Sequence, residues 1–331
     1  MKLGVLQFFG WANRRIPLES VYAGAIERFE IMDEAGYDAV WLAEHHFSGF
    51  SVCPSVHMMA TVAATRTRRM RIGTAVSLAP FYHPLRLAEE VALLDMISGG
   101  RVNWGAGRGF SRVEFDAFGI PVEESGPRFH EAVDVVLNAW TNERLTHHGQ
   151  FFDFDNVEVL PKPLQGPHPP VWMAATSEGA IDWAASRGFS ILMDPHCTCA
   201  DLGAKRARYG EQMTAAGHSA AGRDIPMARL LAIAETAEQA EAIARRGAEW
   251  TVGSYIGGQH RPAHQAPSAV ETADPVQRYV DEVILHGTPE SVLDQIQALQ
   301  ETAQLNYLLA APLSQLSFNL LTEKVLPKVA A

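Results

Sequence analysis

The stretch Asp38-Ala39-Val40-Trp41-Leu42-Ala43-Glu44-His45-His46-Phe47 carries an apolar run into a carboxylate and two imidazoles. An apolar run without polar alternation is typical of a strand buried on both faces, as in a parallel sheet. Polar side chains just past the carboxyl end of such a strand commonly line an active site, and histidine exchanges protons near neutral pH. We therefore predict that Glu44 and the two histidines face an active site. The alternative is that the imidazoles only satisfy buried backbone groups.

Strand-like and helix-like segments alternate on both sides of this stretch, from one end of the chain to the other. Apolar residues such as Ala25, Phe29 and Met32 recur at helical spacing before it, and Gly36 is placed to end that helix. Eight strand–helix units predict a (β/α)8 TIM barrel with insertions, built from right-handed βαβ crossovers. No boundary divides the pattern, so we predict a single domain over 1–331, with strands at 3–8, 38–42, 70–78, 102–106, 171–175, 189–193, 228–234 and 306–310.

Two segments interrupt the alternation. Residues 145–159 are polar, contain Gly149 and are predicted to form a hairpin-like excursion. Residues 253–274, after the seventh unit, are rich in Gly, Pro, His and Gln and show no periodicity. A loop of that length is typically either an active-site lid or a disordered segment.

The composition argues against several classes of protein. Hydrophobic residues make up 47% of the 331 residues and charged residues 20%, which are ordinary values for a water-soluble globular protein. The formal net charge of −11 argues against binding of nucleic-acid phosphates. No stretch of about eighteen consecutive apolar residues occurs, so no membrane-spanning helix is predicted.

The amino-terminal residues and the cysteines bear on location. The apolar run in residues 1–8 is broken too soon for a secretory signal, and these residues are predicted to form the first strand. The cysteines Cys53, Cys197 and Cys199 are sparse and odd in number, which argues against a disulfide framework. We therefore predict a cytoplasmic protein.

A glycine-rich segment, Gly105-Ala106-Gly107-Arg108-Gly109, follows the predicted fourth strand. It does not match the dinucleotide-binding pattern Gly-x-Gly-x-x-Gly, because residue 110 is Phe. Glycines still allow a ligand to approach the backbone closely, and Arg108 would offer an anion a bidentate contact at the barrel mouth. The alternative is a tight turn with a solvated arginine.

Two further positions indicate anion binding. Thr176 and Ser177 follow the fifth strand and open a helix, where hydroxyls and free backbone N–H groups bind phosphate. Either residue is also expected there as a plain N-cap. Arg128 lies in the first turn of another helix, where a cation is unfavourable unless it holds an anion. The segment His196-Cys197-Thr198-Cys199 has no second ligand pair at zinc-like spacing, so no metal site is predicted.

Taken together, these features resemble the bacterial luciferase family of flavin-dependent monooxygenases, and most closely the catalytic luciferase α subunit. Several motifs in the same order are far more specific than any one of them. The resemblance covers most of the chain and rests on 36–47, 72–76, His83-Pro84, 89–95, 98–101, 107–109 and 182–185.

The resemblance implies a barrel that binds reduced FMN at its carboxyl-terminal mouth. His45 matches the family's catalytic histidine, and Glu44 is placed to orient the site. Residues 253–274 match a mobile lid. Arg108, Arg128 and Ser177 match positions that hold the flavin phosphate, as do main-chain groups near Phe110 and Thr176. Ala75-Val76 matches a non-prolyl cis peptide that lies beneath the flavin ring.

The implied activity is a two-component monooxygenase. FMNH2 would come from a separate flavin reductase, because we find no nicotinamide-binding motif. Oxygen would form a peroxyflavin that oxygenates a small organic substrate, by aldehyde or ketone oxidation or by hydroxylation, and His45 would manage proton transfer. The helices after strands two and three, including Glu89, match a dimer interface. A homodimer is therefore expected, with a heterodimer as the alternative.

Three alternatives stay open. The first is an oxidoreductase that uses the deazaflavin F420 on the same barrel, and the second is a non-catalytic flavin-binding partner subunit. The presence of both His45 and Arg108 favours a catalyst over the second. The third is a metal-dependent hydrolase, which would need ligands at several strand ends. Departures from the family pattern at Gly107, Ala180 and Pro195 leave the cofactor prediction standing and argue against light emission.

Overall fold

The computed structural model describes residues 1–256 and 274–329. Within these ranges the strands alternate with helices along the chain, as the sequence predicts. The strands are β1 (Lys2–Gln7), β2 (Ala39–Leu42), β3 (Arg71–Thr74), β4 (Ser77–Leu78), β5 (Val102–Gly107), β6 (Leu145–His148), β7 (Asp153–Val157), β8 (Val171–Ala174), β9 (Ser190–Leu192), β10 (Pro226–Ile233), β11 (Leu285–Gly287) and β12 (Tyr307–Pro312).

The helices follow most strands and cover the outside of the sheet. They are α1 (Leu18–Ala35), α2 (Val56–Arg66), α3 (Pro84–Ser98), α4 (Arg112–Phe118), α5 (Ser125–Thr141), α6 (Glu178–Ser186), α7 (Cys199–Ala215), α8 (Ala237–Thr251), α9 (Pro275–Arg278), α10 (Pro289–Ala303), α11 (Gln315–Leu320) and α12 (Leu326–Val329). Within the described ranges, none of them is both long and apolar enough to cross a membrane.

The large sheet is parallel and curls into a ring. Its strands lie in the order β11-β10-β12-β1-β2-β3-β5-β8-β9, with β4 also beside β5. Met193, just past β9, forms a parallel bridge with Met227 of β10, and this bridge joins the two ends of the ring. The predicted (β/α)8 TIM barrel is confirmed, and its eight predicted strands are β1, β2, β3 with β4, β5, β8, β9, β10 and β12.

Alternate residues of the barrel strands enter two separate cores. Val40 and Leu42 of β2 pack outward with the helices, whereas Trp41 packs inside the barrel. There Trp41 meets Trp172 edge to face, with ring centroids 5.2 Å apart. A Cβ on Gly73 of the neighbouring strand would lie 2.3 Å from the Trp41 ring, so the strand needs glycine at this position. This packing stabilises the register of β2 and so places the residues that follow it, from Ala43 onward, at the mouth of the barrel.

The insertions differ in how far the structure tests them. The predicted hairpin is present, because β6 and β7 pair antiparallel. The short strand β11 pairs with β10 and was not predicted, since three residues show no usable periodicity. Residues 253–256 continue helically from α8, and Asp274 caps α9. The rest of the predicted lid lies outside the described residues.

Candidate active site

A cavity of about 410 Å³ opens at the carboxyl ends of the barrel strands. Its wall is built from the residues that follow β2, β3, β5, β8 and β9, so the parallel strands deliver their terminal side chains to one place. The cavity brings together every residue that the sequence predicted for the site except His46 and Arg128: Glu44, His45, Ala75, Val76, Arg108, Phe110, Thr176 and Ser177.

Glu44 is buried behind the second histidine. Its carboxylate accepts a hydrogen bond from the hydroxyl of Tyr82 (2.9 Å) and lies 3.1 Å from Nε2 of His46. Because short contacts engage both oxygens, the carboxyl group of Glu44 is held in one orientation in the wall of the cavity. The structure therefore places Glu44 beside His46 and Tyr82, where it orients the loop that follows β2.

His45 lies at the cavity wall between aromatic rings. The ring of Phe50 meets it edge to face at 5.6 Å, and Phe110 does so at 5.9 Å. Its Nδ1 atom is 3.5 Å from Oε1 of Glu114. Apolar neighbours exclude water from the imidazole and strengthen its interaction with a nearby carboxylate.

Glu114 was not predicted by the sequence. It lies in the first turn of α4, is only 1% exposed, and accepts a hydrogen bond of 2.9 Å from the backbone N–H of His46. A carboxylate in an amphipathic helix is ordinarily a surface residue, so no local signal marked this one. Only packing of α4 against the loop after β2 brings it to the histidines.

The floor of the cavity is formed by the segment between β3 and β4. The peptide bond between Ala75 and Val76 is cis, as the resemblance implied. A Cβ on Gly107 would lie 2.4 Å from Cγ2 of Val76, so β5 needs glycine where it passes beneath this segment. Ala75, Val76 and Leu78 give this side of the cavity an apolar surface.

Arg108 supplies a cation to the wall of the cavity. Burial lowers the pKa of its guanidinium, which stays far above neutral pH. In the described part of the chain, no carboxylate lies within ion-pair distance of it. A half-buried charge without a counter-ion is costly, so the part of the wall around Arg108 suits an anionic ligand.

The start of α6 lines the same cavity. Ser177 is the N-cap residue, and its hydroxyl accepts a hydrogen bond of 3.3 Å from the N–H of Ala180. Thr176, Ser177 and Gly179 line the cavity, and the first N–H groups of a helix attract anions. The N-cap role and a ligand-binding role are compatible here, because one side-chain cap leaves other N–H groups of the first turn available.

Arg128 does not reach the cavity. Its Nε donates to Glu124 at 2.9 Å, and its guanidinium lies over the ring of Phe151. Successive helix residues turn by roughly 100°, so Arg128 points away from the face of α5 whose Gly126, Phe129 and His130 line the cavity. Its position therefore gives no support to the prediction that it contacts a phosphate.

His130 and His196 line the cavity and were not predicted for the site. His130 stacks on Trp183 with ring centroids 4.2 Å apart, and burial lowers its pKa. Burial lowers the pKa of His196 to about 4, so both imidazoles are neutral near pH 7. No cluster of three or more metal-ligating side chains occurs within residues 1–256 and 274–329.

Two curated proteins are similar to this chain in sequence. The chain is 33% identical over 179 residues to the oxygenase component of the flavin-dependent trigonelline monooxygenase of Acinetobacter baylyi (strain ATCC 33305 / BD413 / ADP1), covering 54% of this chain and 49% of that protein. It is 28% identical over 226 residues to an alkanal monooxygenase alpha chain of Photorhabdus luminescens, covering 68% and 62%. The chain spans about half the length of the first curated relatives it matches.

Solved structures share the fold over nearly the whole chain. The monooxygenase RslO1 from Streptomyces bottropensis superposes with a TM-score of 0.85 at 27% identity, covering 99% of both chains. The oxygenating constituent of 3,6-diketocamphane monooxygenase from Pseudomonas putida, in complex with FMN, gives 0.81 at 21% identity with the same coverage. The F420-dependent tetrahydromethanopterin reductase of Methanopyrus kandleri gives 0.78 at 18% identity, again covering 99% of both.

The predicted resemblance is confirmed by a sequence model of a whole family. The model of luciferase-like monooxygenases matches residues 1–304, which include every strand of the barrel except β12. The match takes in the loop after β2, the glycine-rich end of β5 and the start of α6. The chain therefore belongs to the luciferase-like monooxygenase family.

Proposed function

We propose that this protein is a monooxygenase that uses reduced FMN and O2 to oxygenate a small organic substrate. One observation carries the proposal: the wall of a single cavity holds the imidazole of His45, several apolar side chains and the guanidinium of Arg108, which has no carboxylate within ion-pair distance in the described part of the chain. That arrangement fits a ligand with a phosphate tail and a flat apolar ring, which is the chemistry of a flavin mononucleotide.

The residues of the cavity fit FMN in three ways. Arg108, Ser177 and the first N–H groups of α6 would hold the phosphate. The glycine at position 107 and the apolar Ala75–Val76 segment would accept the ring against the barrel. Reduced FMN, when bound, supplies the electrons that activate dioxygen. F420 has a deazaflavin ring of similar shape to the flavin ring and also carries a phosphate group, so it is the second candidate cofactor, and an F420-dependent reductase has the same fold.

The chain's own residues would then control protons and water. His45 is placed to transfer a proton at the reacting oxygen or at the substrate. Phe50, Phe110 and the apolar floor keep water from that position, which protects an oxygenating site from unproductive decay. Glu44 holds His46 and Tyr82 and so keeps the loop that carries His45 in place.

The flavin would be reduced by a separate enzyme. The relative from Acinetobacter baylyi is named as an oxygenase component, and the present chain shows no nicotinamide-binding motif. We therefore propose a flavin reductase as the functional partner. Adding a general flavin reductase with NADH should support turnover, whereas NADH without it should not.

Anaerobic binding followed by an oxygen pulse tests the proposal. The purified protein is titrated with FMNH2 and, in a parallel series, with reduced F420, and oxygen uptake and oxygenated product are then measured over a panel of aldehydes and ketones. We expect tight FMNH2 binding and product formation that depends on oxygen. Binding of F420 alone would favour the F420-dependent alternative, and binding of neither cofactor would refute both.

We also propose that the protein forms a homodimer through α2 and α3. Large apolar side chains are exposed on these helices, including Met58 (75% exposed) and Leu93 (51%), together with Met96 and Ile97. Clustered exposed apolar residues are typical of subunit interfaces. The double variant Met58→Glu, Leu93→Glu should be monomeric by light scattering, whereas Leu316→Glu on α11 should leave the mass unchanged. A monomeric wild-type protein would contradict the proposal.

A further inference from the structure

The loop after β2 carries two histidines, and each has its own buried carboxylate. Glu44 engages the side chain of His46. Glu114 approaches the side chain of His45, with Oε1 3.5 Å from Nδ1. The two carboxylates come from different parts of the chain and are 2% and 1% exposed. Each histidine side chain therefore has a carboxylate of its own nearby, Glu44 for His46 and Glu114 for His45.

Glu114 has few polar contacts for a buried carboxylate. Its Oε1 accepts a hydrogen bond from the backbone N–H of His46, while its Oε2 is buried without a hydrogen-bond partner in the described part of the chain. A buried carboxylate needs donors or a cation close by. In the described ranges, His45 is the basic side chain within ion-pair distance of it.

We propose that Glu114 is a positioning residue that keeps the imidazole of His45 in the tautomer with the proton on Nδ1. A hydrogen on Nδ1 points toward the carboxylate and lowers the cost of burying it, whereas a bare Nδ1 lone pair would face a negative charge. The other ring nitrogen, Nε2, then keeps its lone pair on the side away from Glu114. The use of that lone pair in oxygenation rests on the proposed function, whereas the tautomer is a property of the unliganded protein.

A purely structural role for Glu114 makes a different prediction. Its bond to the backbone N–H of His46 would anchor the loop whatever the charge of the side chain. Glutamine at position 114 retains an oxygen that can accept this bond, but it removes the negative charge that faces Nδ1. The variant Glu114→Gln therefore separates anchoring of the loop from control of the tautomer.

The chain offers a matched control for this measurement. His57 and Glu90 form a second imidazole–carboxylate pair, with Nδ1 2.9 Å from Oε2, on α2 and α3 and outside the lining of the main cavity. Loss of the charge in Glu90→Gln should change the tautomer of the His57 ring and leave the tautomer of His45 unchanged. The two variants then report on two separate pairs in one protein.

The experiment is ¹⁵N NMR of the unliganded, ¹⁵N-histidine-labelled protein at about pH 8, above the usual range of histidine pKa values. His45 is assigned by the signals that disappear in His45→Asn. We expect the Nδ1–H tautomer for His45 in the wild type and in Glu90→Gln, and a shift toward the Nε2–H tautomer in Glu114→Gln. Product formed per flavin oxidised should fall about tenfold or more in Glu114→Gln, because a misoriented imidazole lone pair is a poor proton acceptor.

Two results would overturn the inference. One is a wild-type His45 in the Nε2–H tautomer, which is read directly from the wild-type spectrum once His45→Asn has assigned its signals. The other is an unchanged His45 tautomer in a folded Glu114→Gln protein, while the tautomer of His57 still changes in Glu90→Gln. Neither measurement involves a flavin, so failure of the cofactor proposal would leave this inference to be decided independently.

Discussion

Two imidazole–carboxylate pairs in this barrel have similar chemistry and different surroundings. His57 lies between α2 and α3 with both ring nitrogens engaged: Nδ1 is 2.9 Å from Glu90 and Nε2 is 2.9 Å from the hydroxyl of Ser77. His45 lines the cavity, and its Nδ1 lies 3.5 Å from Glu114. An imidazole whose two nitrogens both make short bonds within the protein contributes stability. An imidazole in the wall of a cavity, with a carboxylate near its Nδ1, is placed to act on a ligand.

The ionisation of Glu90 shows that a strong pKa shift does not by itself mark a catalytic group. The hydrogen bond from His57 lowers the pKa of Glu90 to about 2, opposed by burial and assisted by Arg86. Structural ion pairs perturb pKa values as active sites do. The position of a group relative to the cavity therefore separates the two roles better than the shift does.

The largest contrast is expected in catalysis. His45→Ala should lower coupled turnover, measured as product per FMNH2 consumed, by about 10²- to 10⁴-fold, because general acid–base groups contribute that much. His57→Gln should keep turnover per folded molecule within about twofold of wild type, since His57 lies outside the wall of the cavity that His45 lines. The loss of the His57 hydrogen bonds should instead lower the unfolding temperature of this variant. Undiminished coupled turnover in His45→Ala would remove this residue from the mechanism.

A second contrast concerns the two arginines that the sequence assigned to the phosphate. Arg108→Ala should weaken FMN binding by about 10- to 100-fold, because a hydrogen bond to a charged group contributes about 1.5–3 kcal/mol. Arg128→Ala should weaken it by less than about threefold, since that side chain is paired with Glu124. Fluorescence titration with FMN and with riboflavin, which lacks the phosphate, measures both effects. Equal losses for the two variants would break the distinction that the structure makes.

The smallest effect is expected in stability. A carboxyl whose pKa is lowered on folding stabilises the native state above its unfolded pKa, and this contribution is lost as the pH falls toward the folded value. Because the pKa of Glu90 falls to about 2, Glu90→Gln should cost about 1–2 kcal/mol at pH 7. The difference from wild type should shrink between about pH 5 and pH 2. Urea unfolding at several pH values measures it, and a pH-independent difference would contradict this account.

The barrel was largely predictable because its signals are local. Apolar runs mark strands that are buried on both faces, and polar residues directly after them must lie at the mouth when the strands are parallel. Glu44, His45, Arg108 and Ser177 were found in this way, and the structure places all four at one cavity. The three-residue strand β11 was missed because it is too short to show a period.

The placement of other residues could not be predicted, because the direction of their side chains depends on how a helix is rotated or on a distant contact. Arg128 and His130 are two positions apart on α5, yet only His130 faces the cavity. The sequence leads us to expect a phosphate contact from Arg128, whose side chain lies outside the cavity wall, because the orientation of α5 against the barrel cannot be derived from the sequence. Glu131, the next residue, instead accepts backbone hydrogen bonds from the hairpin at Phe151 and Phe152.

The sequence by itself determined that the chain alternates strands and helices into a barrel and that histidine, arginine and hydroxyl side chains follow its strands. These features follow from the spacing of apolar residues and from the order of the elements along the chain, both of which are set by residues close together in sequence. Only the tertiary structure decided that Glu114 meets His45, that Arg128 turns outward, and that His57 is saturated by Glu90 and Ser77. Such contacts join residues far apart in the chain, and they depend on how helices rotate and pack, which no local pattern specifies.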